Sequence, residues 1–242
     1  MKLLIIRHGD PDYEKDSLTE KGWREAEYLA DMLSKQKIDH FYMSPYGRAM
    51  DTASCTLDRM GRTAEVLPWL REFDVRIWRP DDKDKMRISW DWLPQDWTRE
   101  AEFYDKDHWF ENRYLEKYNV GEEYRKVTGA FDDLLARHGY HREGGYYRAE
   151  HANRDTIALF CHFGCSAVLL SHLFNVSPMI VWHGFCAQAS SVTTLVTEER
   201  RKGIAMFRML AYGETTHLYM HDEPPAFAAR FCECYDDDTR HD

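Results

Sequence analysis

MKLLIIRHGD, which fills residues 1–10, begins with a short apolar run that stops at Arg7, His8 and Gly9. An apolar run of this length followed by a helical pattern is typical of a strand buried in a parallel sheet. Ligands of open α/β sheets bind in the crevice beyond the carboxyl ends of such strands. The stretch therefore predicts a first strand over residues 2–6, with an arginine and a histidine at a ligand-binding edge.

Helical and strand patterns alternate through much of the remaining chain. The spacing predicts helices beginning at Ser17 or Thr19 and over about 46–60, 121–138 and 164–174, and strands at 40–43, 65–67, 156–161, 191–197 and 204–210. A Ser17–Glu20 capping box fits the first helix, and the last two strands are expected to pair across the turn at 200–203. Such alternation indicates an α/β fold, a three-layer αβα sandwich with a mostly parallel central sheet.

Residues 78–118 differ in composition, because tryptophans 78, 90, 92, 97 and 109 lie there amid dense charge. Residues 141–153 are rich in Gly and Tyr and are predicted to form a loop. We expect a single domain over 1–242 in which residues 79–154 form a helical, Trp-rich insertion or cap over the crevice. Its tryptophans are expected to build the insertion's own core, with contact to a leaving group as the alternative.

The overall composition favours an ordinary soluble protein. The chain has 242 residues, 43% hydrophobic residues and a formal charge of -10, with no apolar stretch of membrane-spanning length. An acidic surface disfavours nucleic acid as a partner. Six cysteines without a predicted signal peptide indicate reduced, buried thiols and a cytoplasmic location, and their spacing does not favour zinc. The oligomeric state is left open.

Two further strand ends carry side chains suited to an anion. Arg48 begins a helix after strand 40–43, and His162 follows strand 156–161. A guanidinium binds phosphate oxygens bidentately, and an imidazole can act as a nucleophile and carry a phosphoryl group. Together with Arg7 and His8, these residues predict a phosphate site.

Four segments, taken in order, resemble the signatures of the histidine phosphatase superfamily, branch 1, the phosphoglycerate mutase-like group. They are MKLLIIRHGD at 1–10, SPYGRAMDTA at 44–53, WLREFDV at 69–75 and ALFCHFG at 158–164. WHGF at 182–185, SSVTTL at 190–195 and GETTHL at 213–218 resemble later segments of the same group. The resemblance covers about 1–78 and 155–218 and leaves most of the insertion uninterpreted.

The resemblance implies a mechanism for this chain. His8 would attack phosphorus and become phosphohistidine, while Arg7, Arg48 and His162 would bind the phosphoryl oxygens and stabilise the charge of the transition state. The backbone N–H of Phe163 would point at the phosphate. No metal and no cofactor are implied, because these residues supply the positive charge.

Glu72 would protonate the leaving oxygen and then accept a proton from the attacking water. For this role its pKa must be raised, which partial burial and a nearby phosphate would do. Asp10 and Asp12 are alternative proton donors.

Two departures from the family pattern bear on activity. The loop after the first motif reads Asp10-Pro11-Asp12-Tyr13 where the mutases carry Ser or Thr and then Asn, and Phe163 stands where many relatives have Gly. Two carboxylates would repel an acidic substrate such as phosphoglycerate. The sequence therefore predicts a phosphatase that hydrolyses a phosphomonoester of a small metabolite without a metal. Mutase-type phosphoryl transfer, a non-catalytic phosphate-binding regulatory module and a metal-dependent hydrolase are the alternatives.

Overall fold

The computed structural model describes residues 1–228 and 230–236. Its strands are β1 (Lys2–Arg7), β2 (Pro11–Asp12), β3 (Ser17–Leu18), β4 (His40–Met43), β5 (Glu65–Val66), β6 (Arg76–Ile77), β7 (Arg87–Ile88), β8 (Tyr140–Glu143), β9 (Tyr146–Ala149), β10 (Thr156–Cys161), β11 (Val192–Arg201) and β12 (Ile204–Glu214). Its α-helices are α1 (Glu20–Leu33), α2 (Gly47–Met60), α3 (Pro94–Trp97), α4 (Val120–Arg137), α5 (Phe163–Phe174), α6 (Pro178–Gly184) and α7 (Thr216–Tyr219). Short 3₁₀ turns lie at Pro68–Leu70, Ala101–Tyr104 and Trp109–Glu111.

Eight strands form the central sheet in the order β5-β4-β10-β1-β11-β12-β9-β8. Strands β5, β4, β10 and β1 are parallel, whereas β11, β12, β9 and β8 are added antiparallel to their neighbours. The parallel core confirms the predicted α/β class. The predicted pairing of the two late strands is confirmed as well, and both strands are longer than expected. Strands joined by a tight turn must run antiparallel, which accounts for the β8–β9 and β11–β12 pairs of this half of the sheet.

Helices cover both faces of the sheet. Successive side chains of β1 point to opposite faces, so this one strand contributes to two separate cores. Leu3 and Ile5 belong to the larger apolar core, which includes residues of α4, α5 and α6. Leu4 and Ile6 belong to a separate core with residues of α1 and α2. This arrangement confirms the three-layer sandwich.

The first helix begins at the second of its two predicted starting points. The Thr19 hydroxyl accepts the backbone N–H of Gly22 at 3.0 Å and caps α1. Ser17 instead lies in β3 and donates to the Asp51 carboxylate at 2.5 Å. The Ser17–Glu20 capping box is therefore wrong, since Glu20 is already the first helical residue.

The prediction of a loop over 141–153 is also wrong. Strands β8 and β9 form a hairpin, and β9 pairs with β12 to extend the main sheet. Tyr147 of β9 is buried, and its ring centroid lies 5.3 Å from that of Phe207 in β12. Burial of these aromatic side chains stabilises a strand at a place where the Gly residues had suggested a loop.

The insertion packs into the larger core of the sheet. Trp92 and Trp109 are buried, and the Trp109 ring lies 5.3 Å from Trp182 of α6. These two tryptophans thus belong to a core that the insertion shares with the sheet. The assignment of 1–242 to one domain stays a prediction.

Cys55, Cys161 and Cys165 are buried free thiols. Cys186 and Cys232 are partly exposed and Cys234 is exposed, so the prediction that the cysteines are buried is wrong for these three.

Among residues 1–228 and 230–236, none of the helices has the length and apolar character that a bilayer span requires.

Candidate active site

His8 lies at the carboxyl end of β1 and is almost fully buried, with 2% of its surface exposed. Its Nδ1 lies 2.7 Å from the carbonyl oxygen of Gly9. Because a carbonyl only accepts, Nδ1 carries the proton, and Nε2 keeps its lone pair for reaction. A Cβ at Gly9 would lie 2.8 Å from the Gly22 carbonyl oxygen, so a glycine lets this loop approach α1 closely.

His162 lies beside His8 at the end of the adjacent strand β10. The two ring centroids are 5.1 Å apart. His162 is fully buried, and its Nε2 lies 2.7 Å from the Ser44 hydroxyl. Its Nδ1 is buried and has no hydrogen-bond partner among the described residues. When Ser44 donates to Nε2, Nδ1 carries a proton that is available to an anion.

Arg7 is anchored by backbone carbonyls. Its Nη1 donates to Ala187 at 2.7 Å and its Nη2 to Ala228 at 3.2 Å. Its buried Nε has no partner in the described part of the chain. Buried donors are nearly always paired in native proteins, so an unpaired one indicates a place for a ligand or water.

Arg48, near the start of α2, is also held on its outer side. Its Nη1 lies 2.6 Å from the Asp16 carboxylate, and its guanidinium lies 5.4 Å from the Tyr13 ring and 5.0 Å from the Tyr46 ring. Its Nε is buried without a partner among the residues described. The two arginines thus share one feature, namely terminal nitrogens held by protein groups and a buried Nε without a partner among the described residues.

The anchor of Arg48 depends on a close backbone contact. Asp16, with a φ of 48°, accepts the backbone N–H of Gly47 at 2.7 Å on its other carboxylate oxygen. A Cβ at Gly47 would lie 2.0 Å from the Asp16 carbonyl oxygen. Thr52 of α2 then joins this helix to the loop after β1, because its hydroxyl accepts the Gly9 N–H at 2.9 Å and donates to the Arg48 carbonyl at 2.7 Å.

Glu72 follows the 3₁₀ turn at Pro68–Leu70 and is partly buried. Its Oε1 accepts the backbone N–H groups of Phe73 and Cys165, each at 2.9 Å. Burial raises the pKa of Glu72, while those two N–H groups and the charges of Arg7 and Arg48 act in the opposite direction. A carboxyl group with a raised pKa is suited to donate a proton.

The two histidines are held neutral by their surroundings. Burial lowers the pKa of His8 well below its ordinary value, and the charges of Arg7 and Arg48 lower it further. Burial, His8 and the same arginines lower the pKa of His162. At neutral pH His8 is therefore in the form in which an imidazole acts as a nucleophile.

The alternative carboxylates have other partners. Asp10 accepts the Thr19 hydroxyl at 2.7 Å. Asp12 lies 2.7 Å from Lys15, and this hydrogen bond lowers the pKa of Asp12. Neither contact favours a proton donor, whereas the charges of both Arg7 and Arg48 act on Glu72.

The structure therefore brings together five of the predicted side chains, namely Arg7, His8, Arg48, Glu72 and His162. Phe163 begins α5 directly after His162, with the Arg7 guanidinium 5.9 Å from its ring centroid. A role for its backbone N–H stays a prediction. In the part of the chain that the structure describes, no three or more His, Cys, Asp or Glu residues are grouped as metal ligands.

Sequence reasoning assigned no role to Ser44, Asp16 or Thr52. Ser44 follows β4 immediately, and this position at a strand end was a usable signal. The contacts of Asp16 and Thr52 join segments that are distant in the chain, and no local pattern marked them.

A family model described as the histidine phosphatase superfamily (branch 1) matches residues 3–209. The chain belongs to this superfamily, which confirms the resemblance seen in its four motifs.

Individual relatives are more distant. The chain is 38% identical over 69 residues to a 2,3-bisphosphoglycerate-dependent phosphoglycerate mutase of Thermoplasma acidophilum, covering 24% of this chain and 34% of the mutase. It thus spans about a third of that relative. It is similar to a solved phosphoserine phosphatase of Entamoeba histolytica, with a TM-score of 0.61 and 17% identity over 90% of this chain and 98% of the other. A mycobacterial glucosyl-3-phosphoglycerate phosphatase gives a TM-score of 0.58 and 19% identity over 88% and 98%. At such identities the structural likeness concerns the fold.

Proposed function

We propose that this protein is a phosphatase that hydrolyses phosphomonoesters of small molecules through a phosphohistidine on His8. One observation carries the proposal. Around the His8 ring, Arg7 Nε, Arg48 Nε and His162 Nδ1 are buried without partners among the described residues. Two unpaired guanidinium N–H groups, with a third donor when His162 carries its proton on Nδ1, match the needs of a phosphoryl group that a neutral imidazole attacks in line.

The proposed reaction has two steps. His8 Nε2 attacks phosphorus, the bond to the leaving oxygen breaks, and Glu72 gives its proton to that oxygen. Glu72, now a carboxylate, accepts a proton from water as the water oxygen attacks the phosphohistidine. The N–P bond breaks, inorganic phosphate leaves, and His8 and Glu72 return to their starting forms. The arginines and His162 supply the positive charge, so the proposal includes no metal.

Hydrolysis is proposed over mutase chemistry because of the loop at residues 10–13. The Asp10 carboxylate adds negative charge next to the first motif, which disfavours an acidic acceptor such as phosphoglycerate, whereas the charge of Asp12 is paired with Lys15. The phosphatases among the structural relatives support the same choice. The free thiols support a cytoplasmic location.

The test is hydrolysis of phenyl phosphate, an aryl phosphate whose phenol needs a proton to leave easily, from about pH 5 to 8, with and without EDTA. Wild type is compared with His8→Ala, Glu72→Gln and the control His108→Ala, which replaces an exposed histidine paired with Glu111. We expect turnover that resists EDTA, is abolished in His8→Ala, falls about 10²–10⁴-fold in Glu72→Gln and is unchanged in His108→Ala. Circular dichroism shows whether each variant is folded.

Labelled phosphate trapped on wild type but not on His8→Ala identifies the intermediate. Transfer of the label to 3-phosphoglycerate faster than to water would instead support a mutase. Phosphate binding without turnover or trapping would support a regulatory module. Activity abolished by EDTA would overturn the metal-free mechanism.

A further inference from the structure

Trp90, a residue of the insertion, lies directly beside Glu72. A Cβ at Gly164 would lie 2.5 Å from Trp90 Nε1 and 2.6 Å from Glu72 Oε1. Both side chains therefore pack against the same glycine at the start of α5. This contact brings a residue of the insertion to the carboxyl group that the proposed mechanism uses as its acid.

The indole also holds the backbone on which Glu72 depends. Trp90 Nε1 donates to the Phe73 carbonyl oxygen at 2.6 Å. The N–H of the same residue, Phe73, donates to Glu72 Oε1 at 2.9 Å. A hydrogen bond from the insertion thus fixes the residue that orients the carboxyl group.

Aromatic packing continues from Trp90 toward the phosphate site. Trp90 meets Phe163 edge to face, with ring centroids 5.6 Å apart, and Phe163 is the residue beneath the Arg7 guanidinium. Both rings are only partly buried and rest on the larger core. They form an apolar wall at the side of the Glu72 carboxyl group.

The polar and titratable groups around Glu72 come from other elements. Arg7 of β1 and Arg48 of α2 act on it electrostatically, and the charge of Glu72 in turn raises the pKa of the buried thiols of Cys161 in β10 and Cys165 in α5. From the insertion, the indole of Trp90 packs against the same glycine, Gly164, as the Glu72 carboxyl group.

We infer that Trp90 is a positioning residue for the reaction, holding the Glu72 carboxyl group in place and keeping water from one side of it. The inference rests on the proposed function, in which Glu72 is the acid. It also gives the insertion a part in the chemistry at the phosphate site.

The expected effect on pH dependence has a definite sign. Burial is the main cause that raises the pKa of Glu72. In Trp90→Ala, water reaches the carboxyl group and its pKa falls, so the protonated acid is lost at a lower pH. The alkaline limb of kcat/KM therefore moves to lower pH.

The need for an acid depends on the leaving group. Phenol, like the Tyr side chain, has a pKa of about 10 and needs a proton to leave easily. p-Nitrophenol is far more acidic and leaves without one. The parameter kcat/KM covers the steps up to departure of the phenol and so reports on this proton transfer.

The experiment compares phenyl phosphate with p-nitrophenyl phosphate in wild type, Trp90→Ala and Trp90→Phe, with Trp78→Ala as control. Trp78 directly precedes this insertion and is 43% exposed. For Trp90→Ala at pH 7, we expect kcat/KM on phenyl phosphate to fall at least about tenfold, within the range that acid catalysis supplies. On p-nitrophenyl phosphate we expect a change of less than about threefold. Trp90→Phe keeps a ring and is expected to restore the pH profile in part, and Trp78→Ala should match wild type.

An equal loss of kcat/KM on both substrates, with the alkaline limb of the pH profile unmoved, would overturn the inference. That result is expected of a residue with a merely structural role. A profile equal to wild type would overturn it too. If Trp90→Ala does not fold, the same comparison is made with Trp90→Phe, which lacks the indole N–H. In that variant kcat/KM on phenyl phosphate is expected to fall more than kcat/KM on p-nitrophenyl phosphate, and an equal change on both substrates would overturn the inference. Failure of the proposed function is distinguishable, since His8→Ala or Glu72→Gln would then retain turnover.

Discussion

Replacing Gly164 with alanine puts a methyl group where Trp90 and Glu72 meet. The new Cβ would lie 2.6 Å from Glu72 Oε1, whereas ordinary contact begins at 3.4 Å, so the carboxyl group must move by about 0.8 Å or α5 must shift. Overpacking of this kind costs about 1–3 kcal/mol. A displacement near 1 Å at a reacting group lowers rates by up to about 10²-fold.

Gly129 offers a matched control within α4. Apart from the backbone of its own helix and its chain neighbours, a Cβ at this position has no described atom within 4 Å. Gly129→Ala is therefore expected to gain up to about 1 kcal/mol from helix propensity. Since 1 kcal/mol shifts the Tm of a domain of this size by about 2–4 °C, Gly129→Ala should melt above wild type and Gly164→Ala below it.

Differential scanning calorimetry and kcat/KM on phenyl phosphate measure the two effects. We expect Gly164→Ala to lose both stability and at least about tenfold in kcat/KM, while Gly129→Ala keeps its activity. Equal gains in Tm for both variants, with unchanged rates, would refute the packing described around Gly164.

Three further predictions follow from contacts away from this glycine. Ser44→Ala removes the hydroxyl that orients His162, and kcat/KM should fall about 10- to 100-fold; a change below about twofold would contradict this role. Burial lowers the pKa of His217 in the folded protein to about 4. As the pH falls below about 6.5, His217 is therefore protonated in the unfolded chain before it is protonated in the folded one. This difference lowers the free energy of unfolding by up to about 3 kcal/mol by pH 4. Urea titrations should show a smaller drop in His217→Gln, and an equal drop would reject the assignment. Trp109→Ala should lose about 3–5 kcal/mol by the same method, whereas Trp78→Ala, at an exposed site, should lose less than about 0.5 kcal/mol.

The sequence predicted the parallel half of the sheet well because its strands are short apolar runs that end sharply. Strands 40–43 and 156–161 agree with the structure at both ends. The residues placed at strand ends met as expected, since parallel strands share one carboxyl edge. The start of α1 was ambiguous, because Ser17 and Thr19 can both cap a helix and only the fold decides between them.

The remaining differences have a common physical cause. Tyr140 and Tyr147 become strand residues through burial against Phe207, which lies far along the chain. Asp16 reaches Arg48, and Trp90 reaches Glu72, only after separate elements have packed together. Such contacts leave no periodic mark in a single sequence.

The position of β1 inside the sheet has a consequence for synthesis. On the ribosome β1 emerges well before its two neighbours, β10 and β11, which begin at Thr156 and Val192. Until then its apolar side chains lack their native cover, and unpaired strands of this kind are prone to aggregate. The Ala187 carbonyl that anchors Arg7 comes late as well. A nascent chain therefore carries His8 long before it has synthesised the later residues that line the candidate site.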